Sequence, residues 1–168
     1  MRFLLPALLL LVSSVFASSV EAANLYLDPS TKTIGKGESI IVTVRLDTAA
    51  NECINSIDGV IELDDGLQVI DVSTGNSIFS LWIEPPTIDG AKQQVSFAGG
   101  VPNGYCGRVE GDPRLTNSLM ELVIQAPSFS IGDTGAEPER AITFAKTTNA
   151  YLNDGLGTIA DLVTAGSV

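Results

Sequence analysis

Residues 38–47, ESIIVTVRLD, alternate strictly. Ile40, Val42, Val44 and Leu46 fall on one parity, and Ile41, Thr43, Arg45 and Asp47 on the other. Successive side chains of an extended chain point to opposite faces, so a period of two specifies a strand with one face in a core and one in water. The pattern recurs in residues 54–63, INSIDGVIEL. There Ile57, Ile61 and Leu63 share a parity with Gly59 between them. Ser56, Asp58, Val60 and Glu62 share the other, and should face solvent or a partner. LQVIDVS follows the turn Asp64-Asp65-Gly66 as another strand. QQVSFAG (93–99), NSLMELVIQA (117–126) and RAITFAK (140–146) add further strands, with NLYLD (24–28) and DLVTAGSV (161–168) as shorter terminal ones. Beyond residue 22 no window of about 11 residues carries a 3.6-residue apolar period. Sixteen glycines and eight prolines punctuate the chain, and residues 127–139 read as a surface loop. Many short strands separated by turns predict an all-β sandwich or jelly roll, and 168 residues suit a single domain.

The first residues follow a different logic. Arg2 precedes a mostly apolar run over residues 3–16, and small residues follow. Val20-Glu21-Ala22 fits a cleavage site, and Val15-Phe16-Ala17 fits less well because it crowds the apolar run. The run is shorter than the roughly 20 residues a membrane-spanning helix needs. The expectation is therefore a secretory signal over residues 1–22, a soluble domain over 23–168, and a secreted, extracellular or cell-surface location. Cleavage removes Arg2 and Glu21, so the net charge stays at −11. Such a chain is repelled by nucleic acid and by anionic lipid. Cys53 and Cys106 are the two cysteines, and an even count in an exported chain suggests a disulfide. It would close a loop of about 50 residues, a constraint of ~3–4 kcal/mol on the chain-entropy model.

Much chemistry is excluded. Histidine is absent, which removes Ser-His-Asp and Cys-His catalysis and leaves two cysteines as a poor zinc set. Neither GxGxxG nor GxxxxGK[ST] occurs. Acidic residues are plentiful, but nothing in the sequence selects a catalytic pair from them. The chain is expected to be a non-enzyme without cofactor or metal.

Trp82, the single tryptophan, lies in FSLWIEPP. If the segment is extended, Phe79, Leu81 and Ile83 share the inward parity and Ser80, Trp82 and Glu84 point outward. An outward tryptophan beside a carboxylate suits a protein hot spot or a sugar-stacking platform. If SIFSLW instead makes a helical turn, Phe79 and Trp82 both plug the core. Pro85-Pro86 cannot donate ladder hydrogen bonds, so the strand is an edge or ends there. Gly99-Gly100 reads as a bulge or tight turn, and Asn153-Asp154-Gly155 as a turn, with calcium ligation the alternative.

These segments, in this order, resemble a cohesin domain, the secreted β-sandwich module that binds dockerin domains, and its relatives among carbohydrate-binding modules. NLYLDPSTKTIGKGESIIVTVRLDT is similar to the family's first two strands, INSIDGVIELDDGLQVIDVS to its third and fourth, and QQVSFAGG to its sixth. NAYLNDGLGTIADLVTAGSV resembles its close, which would put residue 168 at the domain's end. The resemblance covers essentially all of residues 23–168. It implies a nine-strand jelly roll with first and last strands adjacent, and a dockerin-binding face on strands 8, 3, 6 and 5. An Asn-x-Asp pattern on strand 3 contacts the dockerin in many cohesins. Asp58 matches that aspartate, and Ser56 stands where the asparagine would be. The loop GGVPNGYCGRVEGDPRLTN and the cysteines depart from the pattern.

On this reading the chain is a monomeric, non-catalytic module for dockerin-type protein recognition. Ser56, Asp58, Val60, Glu62, Trp82 and Ser96 would carry the contact. A polysaccharide is the alternative partner, with Trp82, Tyr26, Tyr105 and Tyr151 as the aromatic supply. A structural surface domain is the third reading.

Overall fold

The computed structural model describes residues 22–107, 117–128 and 139–165. The alternating segments form strands: β1 (Ala23–Asp28), β2 (Ser39–Asp47), β3 (Ile54–Leu63), β4 (Gln68–Ser73), β5 (Leu81–Asp89), β6 (Gln94–Tyr105), β7 (Ser118–Gln125), β8 (Ile142–Phe144), β9 (Asn149–Leu152) and β10 (Leu162–Ala165). One sheet has the order β10-β1-β2-β7-β4. The other has the order β5-β6-β3-β8, with β9 also paired to β3. The terminal strands β1 and β10 are neighbours and run parallel.

The two inner faces make one core. Leu25, Leu27, Val42, Val44, Leu46, Leu122 and Ile124 enter from the first sheet. Ile57, Ile61, Leu63, Val95, Phe97 and Ile142 enter from the second. Each such side chain contributes about 1.5–3 kcal/mol when fully buried. The parities expected for β2 and β3 are those observed: Val42, Val44, Leu46, Ile57, Ile61 and Leu63 are all buried.

Among the described residues the strand count is ten rather than nine, for a local reason. β8 and β9 both lie against β3, with Ile61 opposite Phe144 and Asp58 opposite Asn149. Two residues of β3 separate those positions, but four residues, 145–148, separate their partners. The surplus forms a turn in which Thr148 N donates to Ala145 O at 3.0 Å. The strand expected over 140–146 thus stops at Phe144, and the chain resumes alongside β3 as β9. Gly59 faces this turn, and a Cβ there would stand 2.9 Å from Thr148 Cγ2.

On the first sheet's outer face, Arg45 is buried at a register shift between β2 and β7. Its Nε donates to Asp28 Oδ2 at 2.7 Å and its Nη1 to Asn117 Oδ1 at 3.1 Å. Asn117 Nδ2 donates to Tyr26 Oη and to Asp47 Oδ1, each at 3.0 Å. The network satisfies the buried polar groups that would otherwise cost stability.

Cys53 and Cys106 are disulfide-bonded. Among the described residues no helix is long and apolar enough to cross a membrane. The expected signal segment, except Ala22, lies outside the described residues, as do 129–138 of the expected loop and the last three residues.

Candidate functional site

The outer face of the β5-β6-β3-β8 sheet is built from rows of register partners. The first is Leu81–Gly100–Ser56–Tyr151, extended by a bridge from Tyr151 to Ile159. The second is Glu84–Ala98–Asp58–Asn149. The third is Thr87–Ser96–Val60, and the fourth Asp89–Gln94–Glu62–Thr143. Strands sit about 4.8 Å apart, so a four-residue row spans about 15 Å. Ser56, Asp58, Val60, Glu62 and Ser96 therefore share one surface, on the parity expected for them. Ala98 and Gly100 are too small to rise above the backbone and keep its middle level.

The polar groups of this surface cross-link its strands. Ser96 Oγ donates to Glu84 Oε1 at 2.8 Å, and Gln94 Nε2 to Glu62 Oε1 at 3.2 Å. Asn149 Nδ2 donates to Thr147 O at 2.9 Å and, more weakly, to Asp58 Oδ2 at 3.5 Å. The Asp58 carboxylate, chiefly as a hydrogen-bond acceptor for the protonated phenol, raises the pKa of Tyr151 above its ordinary value. The Lys92 ammonium lies 3.1 Å from Asp89 Oδ2 and, chiefly by hydrogen bonding, holds that carboxyl below the usual range. A carboxylate offers about four acceptor positions, so Asp58, Glu62 and Glu84 retain capacity for donors on a partner. The surface is acidic and rich in acceptors.

Trp82 is not on it. The outward orientation expected of an extended FSLWIE is corrected by the structure, as is the inward one of Leu81 and Ile83. Trp82 is partly buried and packs against the core, its ring edge-on to Phe79 with centroids 5.1 Å apart. Leu81 and Ile83 are 55% and 74% exposed. The cause lies across the ladder. Trp82 faces Gly99, where a Cβ would stand 2.6 Å from Phe79 Cδ2 and 2.9 Å from Trp82 Cε3. The missing side chain of Gly99 is the space that the two rings occupy. Register then shifts between Trp82 and Glu84, so Ile83 is an extra residue and Glu84 remains outward. A second shift, between Glu84 and Thr87, absorbs Pro85-Pro86 on what is an edge strand. Leu81, Ile83 and Asn149 are surface residues that alternation did not identify; the Gly99-Gly100 pair was the available signal for β5.

The aromatic supply for stacking on sugars is correspondingly small. Trp82 faces inward, and Tyr26 belongs to the Asn117 network on the other sheet. Tyr151 is the tyrosine that the rows place on this face. At the β9–β10 turn, Asp154 accepts from Leu156 N at 2.8 Å and from the Thr158 hydroxyl. These bonds, the Thr158 one foremost, hold its carboxyl below the usual range. Its oxygens close a turn, and among the described residues no group of three His, Cys, Asp or Glu is placed to hold a metal.

No family model matches the chain, and no curated protein sequence does. Solved structures do. A non-cellulosomal cohesin from the archaeon Archaeoglobus fulgidus aligns with a TM-score of 0.61 at 18% identity, over 86% of each chain. A type I cohesin–dockerin complex of Clostridium thermocellum, containing OlpC, aligns at 0.66 and 13% identity, over 85% of this chain and 88% of that one. The sixth cohesin of scaffoldin B from Acetivibrio cellulolyticus, solved with a Cel5 dockerin, aligns at 0.64 and 15% identity, over 88% and 98%. The chain has the cohesin fold.

Proposed function

We propose that this chain is a secreted, non-catalytic, cohesin-like module that docks a dockerin-type protein domain and so helps assemble or display extracellular proteins. The docking surface is the outer face of β5-β6-β3-β8. The observation that carries this reading is the second row, in which Asp58 and Glu84 flank Ala98 on a level surface. Two carboxylates with a low floor between them accept hydrogen bonds from a protruding partner side chain. Leu81 and Ile83 add apolar contact at one edge, where desolvation contributes most. Glu62 and Ser96 continue the acceptor surface, and Val60 supplies apolar area between them.

Two of the similar structures were solved with dockerins bound, which supports the partner class. Ser56, in the place of an asparagine, alters the hydrogen bonds offered at that position and so the choice of dockerin. A basic partner would meet this surface faster at low salt, because complementary charge steers encounter.

The test is binding of the purified chain to dockerin domains encoded by the same organism. At least one should bind, and Asp58→Ala and Glu84→Ala should each weaken it by about tenfold or more. If no dockerin binds, the reading fails. If one binds and both variants keep full affinity, the surface is wrongly placed.

A further inference from the structure

One end of this face is closed by more than ladder hydrogen bonds. Ser56 pairs with Gly100, and Ile54 with Tyr105. Between these pairs β3 has only Asn55, whereas β6 has residues 101–104, so β6 leaves the ladder and returns. Its departure and return both need glycine. A Cβ on Gly100 would stand 2.5 Å from Asn55 O. Gly104 has φ +74°, and a Cβ there would stand 2.8 Å from Asn153 Cβ.

Immediately beyond the Ile54–Tyr105 pair lie Cys53 and Cys106, and the disulfide joins them. Asn153 gathers the same elements. Its amide donates to Cys53 O at 2.9 Å, and its Nδ2 to Asn103 O at 3.1 Å. Its Oδ1 accepts from Asn55 Nδ2 at 3.2 Å. The start of β3, the excursion of β6 and the residue after β9 thus meet at Asn153 and the disulfide. Cys106 is exposed and Cys53 partly so, which leaves the bond open to a dithiol. The β2–β7 ladder and its buried side chains involve neither cysteine.

We propose that Cys53–Cys106 is a redox-controlled clamp on this end of the docking face. Oxidised, it holds residues 101–104 and Asn153 in place beside Ser56. Reduced, that end opens while the sandwich persists. The reductant is a dithiol: its thiolate attacks one sulfur, the S–S bond breaks, and the second thiol resolves the mixed disulfide. Cys53 and Cys106 take up two electrons and two protons as thiols, and the dithiol leaves as its own disulfide. The consequence for docking rests on the function proposed above; the clamp itself does not.

Amide hydrogen exchange with and without dithiothreitol tests the clamp. At short labelling times, Tyr105 and Asn153 should exchange ~tenfold or more faster after reduction, with β2 and β7 still protected. Cys53→Ser/Cys106→Ser should give the same pattern without reductant. Unchanged exchange at those two amides overturns the clamp. So does equal loss of protection in β2 and β7, because the bond would then hold the whole fold. A dockerin that binds the oxidised chain should dissociate ~tenfold faster from the reduced one, the range in which interface changes act on off-rate. Equal dissociation overturns the regulatory role. Failure of every dockerin to bind the oxidised chain defeats the docking reading alone, with the exchange result still deciding the clamp.

Discussion

The indole of Trp82 meets the ring of Phe79 edge to face, with planes 69° apart, on the inner side of β5. This is one of the arrangements aromatic pairs prefer, and it ties the edge strand to the core. Trp82→Ala should destabilise the chain by about 2–4 kcal/mol, the lower part of the large-to-small range because the indole is only partly buried. Urea unfolding measures this. Emission from the single tryptophan should also be blue-shifted from that of an exposed indole; emission at the exposed position would contradict the packing.

Gly100 is the ladder partner of Ser56 on β3, and its Cβ would stand 2.5 Å from Asn55 O, an atom with little freedom to retreat. Gly100→Ala should cost about 1–3 kcal/mol, typical of an inserted methyl in a filled space. A melting temperature equal to that of the parent would show that the two strands separate at no cost.

Asn117 is fully buried and joins Arg45, Tyr26 and Asp47. Asn117→Ala leaves these groups short of a partner, and should cost about 2–3 kcal/mol in denaturant unfolding. Asn117→Asp should be no better, because it supplies acceptors where Tyr26 and Asp47 now receive a donor.

The Asp58 carboxylate favours the protonated phenol of Tyr151 as a hydrogen-bond donor and repels the phenolate. The folded-state pKa therefore lies above the unfolded value. The associated stability is present below the unfolded pKa and is lost as pH rises through the folded one. An absorbance titration should show the Tyr151 phenol ionising late, and Asp58→Asn should move it back toward its ordinary value. Unchanged titration in that variant would mean that the two groups do not interact.

Ala98→Trp raises the floor between Asp58 and Glu84 without entering the core. Circular dichroism and melting temperature should stay close to the parent's. Dockerin affinity, measured by calorimetry, should fall by roughly a hundredfold, comparable to a hot-spot loss. Retained affinity would move the docking surface elsewhere.

Much of the outer face of the β5-β6-β3-β8 sheet was legible along the chain. Val42, Val44, Ile57 and Ile61 announced their strands by strict alternation, and the same counting put Ser56, Asp58, Val60 and Glu62 on the opposite surface. It succeeded because β3 is continuous through those positions, and a side chain's face there depends only on its own place in the strand. The cysteines announced their pairing through number and context.

What counting could not give depends on partners distant in the chain. Trp82 turns inward because Gly99 stands across the ladder, which leaves Ile83 outward, and Glu84 is outward as well because a bulge adds one residue before it. One extra residue reverses every face after it. Residues 145–148 divide one lane into two strands for the same kind of reason, and residues 101–104 leave the sheet where Gly100 and Gly104 allow it. Alternation by itself determined which segments are strands and which of their side chains seek the core. Only the tertiary structure decided register, because register belongs to two strands at once and is set where they pack.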